Sequence, residues 1–184
     1  APEKTPTYFP KVADRVIQDG TFEVLDETDH SGEGEFCLIC HEGVFYVTPS
    51  SDHTDRKLEE ASILKSKQIY PNVVGTRIWK LDDLLNHWDS IVMKSWVTVD
   101  GKEVLYQETT LSTLMEPQEL IERIKELLRD PENLDGLMVF SGTVAALFEL
   151  TYSPTFKVVL EDPVRKRSIS CSYDMRPISR WYVG

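Results

Sequence analysis

The sequence is short of several things, and each shortage removes a class of protein. Cysteine is scarce: Cys37, Cys40 and Cys171 are the three in 184 residues, an odd number and too sparse for a disulfide-stapled scaffold. Glycine and proline number 9 and 10, too few for a fibrous or low-complexity chain. Basic residues are outnumbered 20 to 31 by acidic ones, a formal net charge of −11, so a polyanion meets a repelling average surface. The one basic knot, Arg165-Lys166-Arg167, has the length of a solvated turn; neither nucleic acid nor an acidic membrane is expected as a partner. The most apolar window, Leu137 to Phe148, falls well short of the ~20 residues a spanning helix needs. The opening Ala1-Pro2-Glu3-Lys4 has no basic-then-apolar signal pattern, so a cytoplasmic protein is expected.

What is present is ordinary for a globular chain: 41% hydrophobic and 28% charged residues, enough to bury a core without staples. One domain over residues 1–184 is expected, with residues 1–20 as an extended N-terminal arm marked by Pro2, Pro6 and Pro10. Phe36–Ile39 and Val44–Thr48 read as strands around a tight turn, and Ile91–Val99 and Lys102–Gln107 as a second hairpin across Asp100-Gly101. Later strands are expected at Leu137–Phe140, Phe156–Leu160 and Ser168–Tyr173. Helices are expected at Pro117–Arg129, where Leu120, Ile121, Ile124, Leu127 and Leu128 form a stripe, around Leu81–Trp88, and from Thr54 to about Leu64 with Leu58 and Ala61 inward. The pattern is a β-rich α+β domain without regular βαβ alternation. Cys37 and Cys40 lie three apart on a strand, so they point to opposite faces and read as buried structural cysteines rather than a redox pair.

The chemistry concentrates at Gly32-Glu33-Gly34-Glu35. Two residues apart on extended backbone, Glu33 and Glu35 leave the same face. If Glu42-Gly43 is a two-residue turn, Glu33 stands opposite Asp52; a three-residue turn would put Asp52 opposite Gly32, on the other face. Three crowded carboxylates need neutralising. A hard divalent cation does this and keeps the rest of its shell for water or substrate. The competing reading leaves Glu33 and Glu35 on a solvated face and Asp52 as a helix cap.

The order of motifs resembles the fumarylacetoacetate hydrolase (fumarylacetoacetase) family. Glu33-x-Glu35, then Ser51-Asp52-His53-Thr54-Asp55-Arg56, then Leu64-Lys65-Ser66 follow that family's E-x-E, N-D-x-T-A-R-D and A-K-S-F-like segments. Val99-Asp100-Gly101-Lys102-Glu103 with Gln107, and Ser141-Gly142-Thr143, resemble its later elements, so the likeness runs from about Glu33 to the C-terminus. The resemblance implies mixed sheets or a β-roll of the fumarylacetoacetase C-terminal-domain type with a few peripheral helices. It implies Glu33, Glu35 and Asp52 as ligands of Mg²⁺, or of Mn²⁺ or Ca²⁺, and Lys65 as the lysine near substrate. Lys67 is the rival, placed with Thr143 and Gly142 among substrate-binding residues, and Arg56 pairs near the metal-bearing loop. Family hydrolases usually take a catalytic histidine from well before the E-x-E pair, where this chain has none; His30 and His53 are the candidates to substitute.

The function so implied is metal-dependent chemistry on a small oxo- or dioxo-carboxylate. Hydrolytic C–C cleavage is the first expectation, and decarboxylation of a β-keto acid or isomerisation the alternative. A binding or structural module that kept the sheet is the third reading. A homodimer is expected from the resemblance, with the Pro-rich arm, Trp88, Trp96 and Trp181 as apolar interface candidates.

Overall fold

Two turns set the architecture. Glu42-Gly43 and Asp100-Gly101 both take φ values of 50° and 73°, the left-handed pair whose twist matches that of adjoining antiparallel strands. Each therefore closes a long hairpin with no loop to spare. The computed structural model describes residues 9–149 and 152–181. In chain order its first strands are β1 (Val16–Gln18), β2 (Gly20–Val24), β3 (His30–Ser31), β4 (Gly34–His41), β5 (Val44–Asp52) and β6 (Thr54–Asp55). They are followed by β7 (Asn72–Val74), β8 (Trp79–Lys80), β9 (Val92–Val99), β10 (Lys102–Thr110), β11 (Met138–Phe140), β12 (Thr155–Asp162) and β13 (Arg167–Pro177). Three short helices interrupt them: α1 (Arg56–Glu59), α2 (Ile63–Ile69) and α3 (Pro117–Lys125).

The strands form a six-stranded sheet in the order β1-β7-β5-β4-β11, with β8 on β5, and a five-stranded sheet in the order β10-β9-β12-β13-β2. β3 and β6 make a separate two-stranded ladder. The expected β-rich α+β fold, with mixed sheets and few helices, is what the structure has. Along β13 burial alternates strictly, with Ile169, Cys171, Tyr173 and Met175 inward, as a sheet covered on one face requires. These residues join Phe36, Leu38, Val47, Phe156, Val158 and Leu160 in one core between the two large sheets. β4 is buried on both faces for most of its length, which is why it reads as a continuous apolar run.

The alternation Gly-Glu-Gly-Glu has a packing cause. A Cβ on Gly32 would lie 2.5 Å from the Tyr173 hydroxyl and 2.7 Å from the Phe156 ring; one on Gly34 would lie 3.0 Å from Gln107 Oε1. The glycine face abuts the second sheet, so the acidic face must look away from it.

Several local expectations change. The helix expected over Thr54–Leu64 is absent as one unit: Thr54–Asp55 pair with His30–Ser31, and Asp55 then caps α1 through Leu58 N–H at 2.8 Å. The chain restarts at Ser62, which caps α2 through Lys65 N–H. Leu58 is half-buried and Ala61 exposed. Leu81–Trp88 contains two short 3₁₀ segments rather than an α-helix, and α3 stops at Lys125 instead of Arg129. Of the arm, residues 1–8 lie outside the described residues. Further on it is not simply extended, because it holds a 3₁₀ turn at Ala13–Arg15 and then β1, with Val16 and Ile17 paired in parallel to Asn72 and Val73. Trp88 is core, edge-on to Phe36; Trp96 is half-buried under Lys157; Trp181 alone of the three is exposed. All three cysteines are buried and free, and burial pushes the Cys37 thiol up, away from the thiolate that redox work needs.

Candidate metal centre

The two-residue turn fixes the register on which the site depends. Gly34 faces Ser51 and Glu35 faces Ser50, and one step beyond the ladder Glu33 and Asp52 exchange backbone N–H···O bonds of 3.1 Å each. Glu33, Glu35 and Asp52 therefore share the outer face of the six-stranded sheet, each offering a carboxylate oxygen within 4.8 Å of the others. Helix α2 carries Lys67 over them: its Nζ donates to Glu33 Oε2 at 2.8 Å and to Asp52 Oδ2 at 2.7 Å. From the other side Arg56 Nη1 lies 2.9 Å from Glu33 Oε1, while its Nε donates to Ser31 Oγ at 2.8 Å.

Charge is unevenly compensated. Burial works against ionising Glu33, but Lys67 and Arg56 outweigh it and hold its carboxyl below the usual range. Glu35 has no ion pair among the described residues; burial, then the neighbouring Asp52 and Glu33, push its carboxyl well up, and the attraction of Lys67 does not offset them. Burial opposes the charged form of Lys67, yet Glu33 and Asp52 more than reverse this, so the ammonium is firmly protonated.

The donor set fits a divalent cation by an independent criterion. Glu35 Oε2 and Asp52 Oδ1 are buried and have no hydrogen-bond partner among the described residues. Buried oxygens in this state are costly unless something binds them, and hard anionic oxygens are what Mg²⁺ and Ca²⁺ prefer. Two further orphaned oxygens lie on the same face, Ser50 Oγ opposite Glu35 and Asn72 Oδ1 opposite Asp52. Sequence reasoning passed over both. Ser50 could have been found from the hairpin register, Asn72 only from a long-range pairing.

The two lysines separate cleanly. Residues two apart on an α-helix point about 200° from each other, so only one can face the carboxylates. That one is Lys67; Lys65 is exposed, and its amide is taken up by the Ser62 cap. Lys11 anchors the end of the same helix by donating to the Lys67 and Tyr70 carbonyls, the latter at 2.8 Å. Burial lowers its pKa to about 8.

Thr143 and Gly142 border the cluster. Thr143 Oγ1 donates to the Gly34 carbonyl at 2.7 Å, and the Gly142 backbone lies close enough to Glu35 to counter, in small part, the upward shift of its carboxyl. Gln107 ties this loop down: its Oε1 accepts from Gly34 N–H and Ser95 Oγ, and its Nε2 donates to Thr143 Oγ1 at 2.8 Å and Val144 O at 2.6 Å.

The histidines lie elsewhere. Along the chain Asp52 and Thr54 face Lys67, so Ser51 and His53 face the opposite way, toward Tyr173. Both His30 and His53 are fully buried, and burial holds both below the usual imidazole range. Neutral rings in this chain have one consistent set of tautomers. The Asp26 carbonyl can only accept, so His30 Nε2 donates to it at 3.1 Å, leaving His30 Nδ1 to accept from His53 Nε2 at 2.8 Å. His53 Nδ1 then accepts from the Tyr173 hydroxyl at 3.0 Å, which accepts in turn from Ser51 Oγ at 2.9 Å.

Solved structures share this fold. Cg1458, crystallised with an inhibitor, has 19% identity and a TM-score of 0.67 over 89% of this chain and 64% of its own. A 2-keto-3-deoxy-D-arabinonate dehydratase complexed with magnesium and 2,5-dioxopentanoate gives 17%, 0.68, 91% and 61%. The 4-oxalocrotonate decarboxylase from Pseudomonas putida G7, complexed with calcium and acetate, gives 16%, 0.55, 89% and 66%. The chain spans less than two thirds of the length of each of these three. A search of curated proteins finds no match. Residues 1–173 match the model of the family described as "Protein of unknown function (DUF2848)". Among the described residues no helix is long and apolar enough to cross a membrane.

Proposed function

The chain belongs to the DUF2848 family, and we propose that it is a divalent-metal-dependent enzyme acting on a small oxo- or dioxo-carboxylate. The observation that carries this reading is the pair of buried, partnerless oxygens, Glu35 Oε2 and Asp52 Oδ1, within a three-carboxylate cluster. Glu33, Glu35 and Asp52 would hold the cation, with Mg²⁺ the first choice and Mn²⁺ or Ca²⁺ the alternatives. When bound, the cation polarises a carbonyl of a chelating substrate as a Lewis acid. The solved dehydratase and decarboxylase of the same fold, crystallised with magnesium and calcium, support the choice of ion and the oxo-acid class.

The protein's own groups bias the reaction type. Lys67 is a protonated donor beside the carboxylates, placed to stabilise negative charge developing on a substrate oxygen. Thr143 and the Gly142 amide border the same space and would orient the substrate's carboxylate or carbonyl end. Hydrolytic C–C cleavage also needs a group that takes a proton from water, and His30 and His53 face away from the cluster. Decarboxylation of a β-keto acid needs no activated water, because the electron pair of the breaking bond passes to the polarised carbonyl. Lys67 serves either reaction; the orientation of His30 and His53 away from the cluster favours this second reading over hydrolysis.

Calorimetric titration with Mg²⁺ and Mn²⁺, on the native chain and on Glu35→Gln, tests the proposal, followed by assays with oxaloacetate and an acylpyruvate. Binding that Glu35→Gln abolishes, with metal-dependent CO₂ release from oxaloacetate, is expected. No binding by the native chain, even with oxalate added to complete the shell, would overturn it.

A further inference from the structure

Six buried side-chain nitrogen or oxygen atoms among the described residues have no hydrogen-bond partner, and four of them, Glu35 Oε2, Ser50 Oγ, Asp52 Oδ1 and Asn72 Oδ1, fall in one patch. The register places them in two rows. In the first, Glu33 stands opposite Asp52, and Asp52 opposite Asn72 on the next strand. In the second, Glu35 stands opposite Ser50. Residues directly opposed on antiparallel strands share a face, with Cβ atoms about 5 Å apart. Asn72 and Ser50 therefore flank the carboxylates on the face that Lys67 covers. Ser50 is 0% and Asn72 3% exposed, so bulk water cannot satisfy them.

A buried hydroxyl or carboxamide oxygen without a partner is a standing cost to the fold. Packing alone would favour apolar residues at both positions, since Val73 and Val74 beside them are apolar and buried. Two unsatisfied neutral oxygens next to two unsatisfied carboxylate oxygens call for a cation or a hydrogen-bond donor between them. A cation held by three carboxylates keeps several waters, and each of those waters must donate hydrogen bonds onward. We infer that Asn72 Oδ1 and Ser50 Oγ complete the metal centre as neutral acceptors for the hydrated cation, fixing its water ligands and hence the direction in which a substrate enters the shell. They are positioning residues, acting on the ion through its water. This inference rests on the metal reading above and extends the centre from three residues to five.

The two roles open to Asn72 make opposite demands. A residue that serves the ion can be replaced by an apolar isostere with no loss of stability in the metal-free protein, because an orphaned acceptor is removed. A residue that serves the sheet cannot. The test is Mn²⁺ titration calorimetry together with metal-free thermal unfolding of the native chain, Asn72→Leu and Ser50→Ala. Asn72→Leu should weaken Mn²⁺ binding about tenfold, the usual size for partners just outside the ligand set, while the metal-free midpoint stays level or rises. Ser50→Ala should weaken it in the same direction by a few-fold and serves as the near-isosteric variant should Asn72→Leu fold poorly. Native binding with unchanged affinity in both variants would overturn this inference alone, as would a lowered metal-free midpoint at unchanged affinity. Absence of binding by the native chain would overturn the metal reading beneath it.

Discussion

Two polar regions lie back to back on the same stretch of β5, and they are built on opposite principles. On the inner face Ser51, Tyr173, His53 and His30 form an unbroken hydrogen-bonded chain that ends on the Asp26 carbonyl. Every link has a donor and an acceptor, and every ring is packed against aromatic neighbours such as Phe22 and Tyr70. On the outer face Glu35, Ser50, Asp52 and Asn72 each leave a buried oxygen without a partner among the described residues. Burial is similar on the two faces; satisfaction is not. A closed network has nothing left to give a ligand and stabilises the fold, whereas an open one is maintained at a cost and marks where a ligand belongs. By this criterion the histidines, the residue type most readily assigned to catalysis, are the structural group here.

The contrast can be broken from either side. The largest effect is expected on the open face: Glu35→Gln should abolish detectable Mg²⁺ or Mn²⁺ binding by calorimetry. The metal-free protein should unfold at the same temperature or higher, because glutamine keeps the neutral side chain that burial favours at this position and removes any repulsion with Asp52 and Glu33. Next, Lys67→Met should cost about 10²-fold in metal-dependent turnover, while metal affinity is kept or improved, since the ammonium no longer occupies Glu33 and Asp52. Lys65→Met, two residues away on the exposed side of α2, should leave turnover within about twofold of native. On the closed face, His53→Ala should destabilise the fold by about 2–4 kcal/mol in urea unfolding and leave metal affinity within a few-fold.

The smallest effect is a pH dependence of stability from His30. Its folded pKa lies below the unfolded value of ~6.5, so the unfolded chain binds the proton more readily. Its contribution is fully present above that value and is lost as pH falls from about 6.5 toward the folded pKa, at no more than about 1.4 kcal/mol per pH unit. Urea midpoints between pH 5 and 8, compared with those of a His30→Asn variant, measure this slope.

How much of this could be read beforehand depended on whether a feature was local. Glu33 and Glu35 share a face because strand periodicity is two, and Asp52 joins them because the Glu42-Gly43 turn admits one register. Those facts need nothing beyond residues 33–52. The choice between Lys65 and Lys67 turns on where α2 starts, and that was hidden by the strand β6, whose partner β3 lies more than twenty residues earlier. Asn72 reaches the site only because β7 docks against β5 on one side and the N-terminal β1 on the other. The histidine chain needs Tyr173 from the last strand of the other sheet, a contact across 120 residues. Neither leaves a mark in local spacing. The true helix starts are set by the caps Asp55 and Ser62, which the apolar spacing of Leu58 and Ala61 does not reveal.

The central claim is that the open face is a cation site, and the most direct measurement is anomalous diffraction from crystals soaked in millimolar Mn²⁺. The account predicts a single strong peak bounded by carboxylate oxygens of Glu33, Glu35 and Asp52, with Lys67 withdrawn from at least one of its two acid partners. Electron density showing Lys67 still bridging Glu33 and Asp52, with no anomalous signal between them, would contradict it.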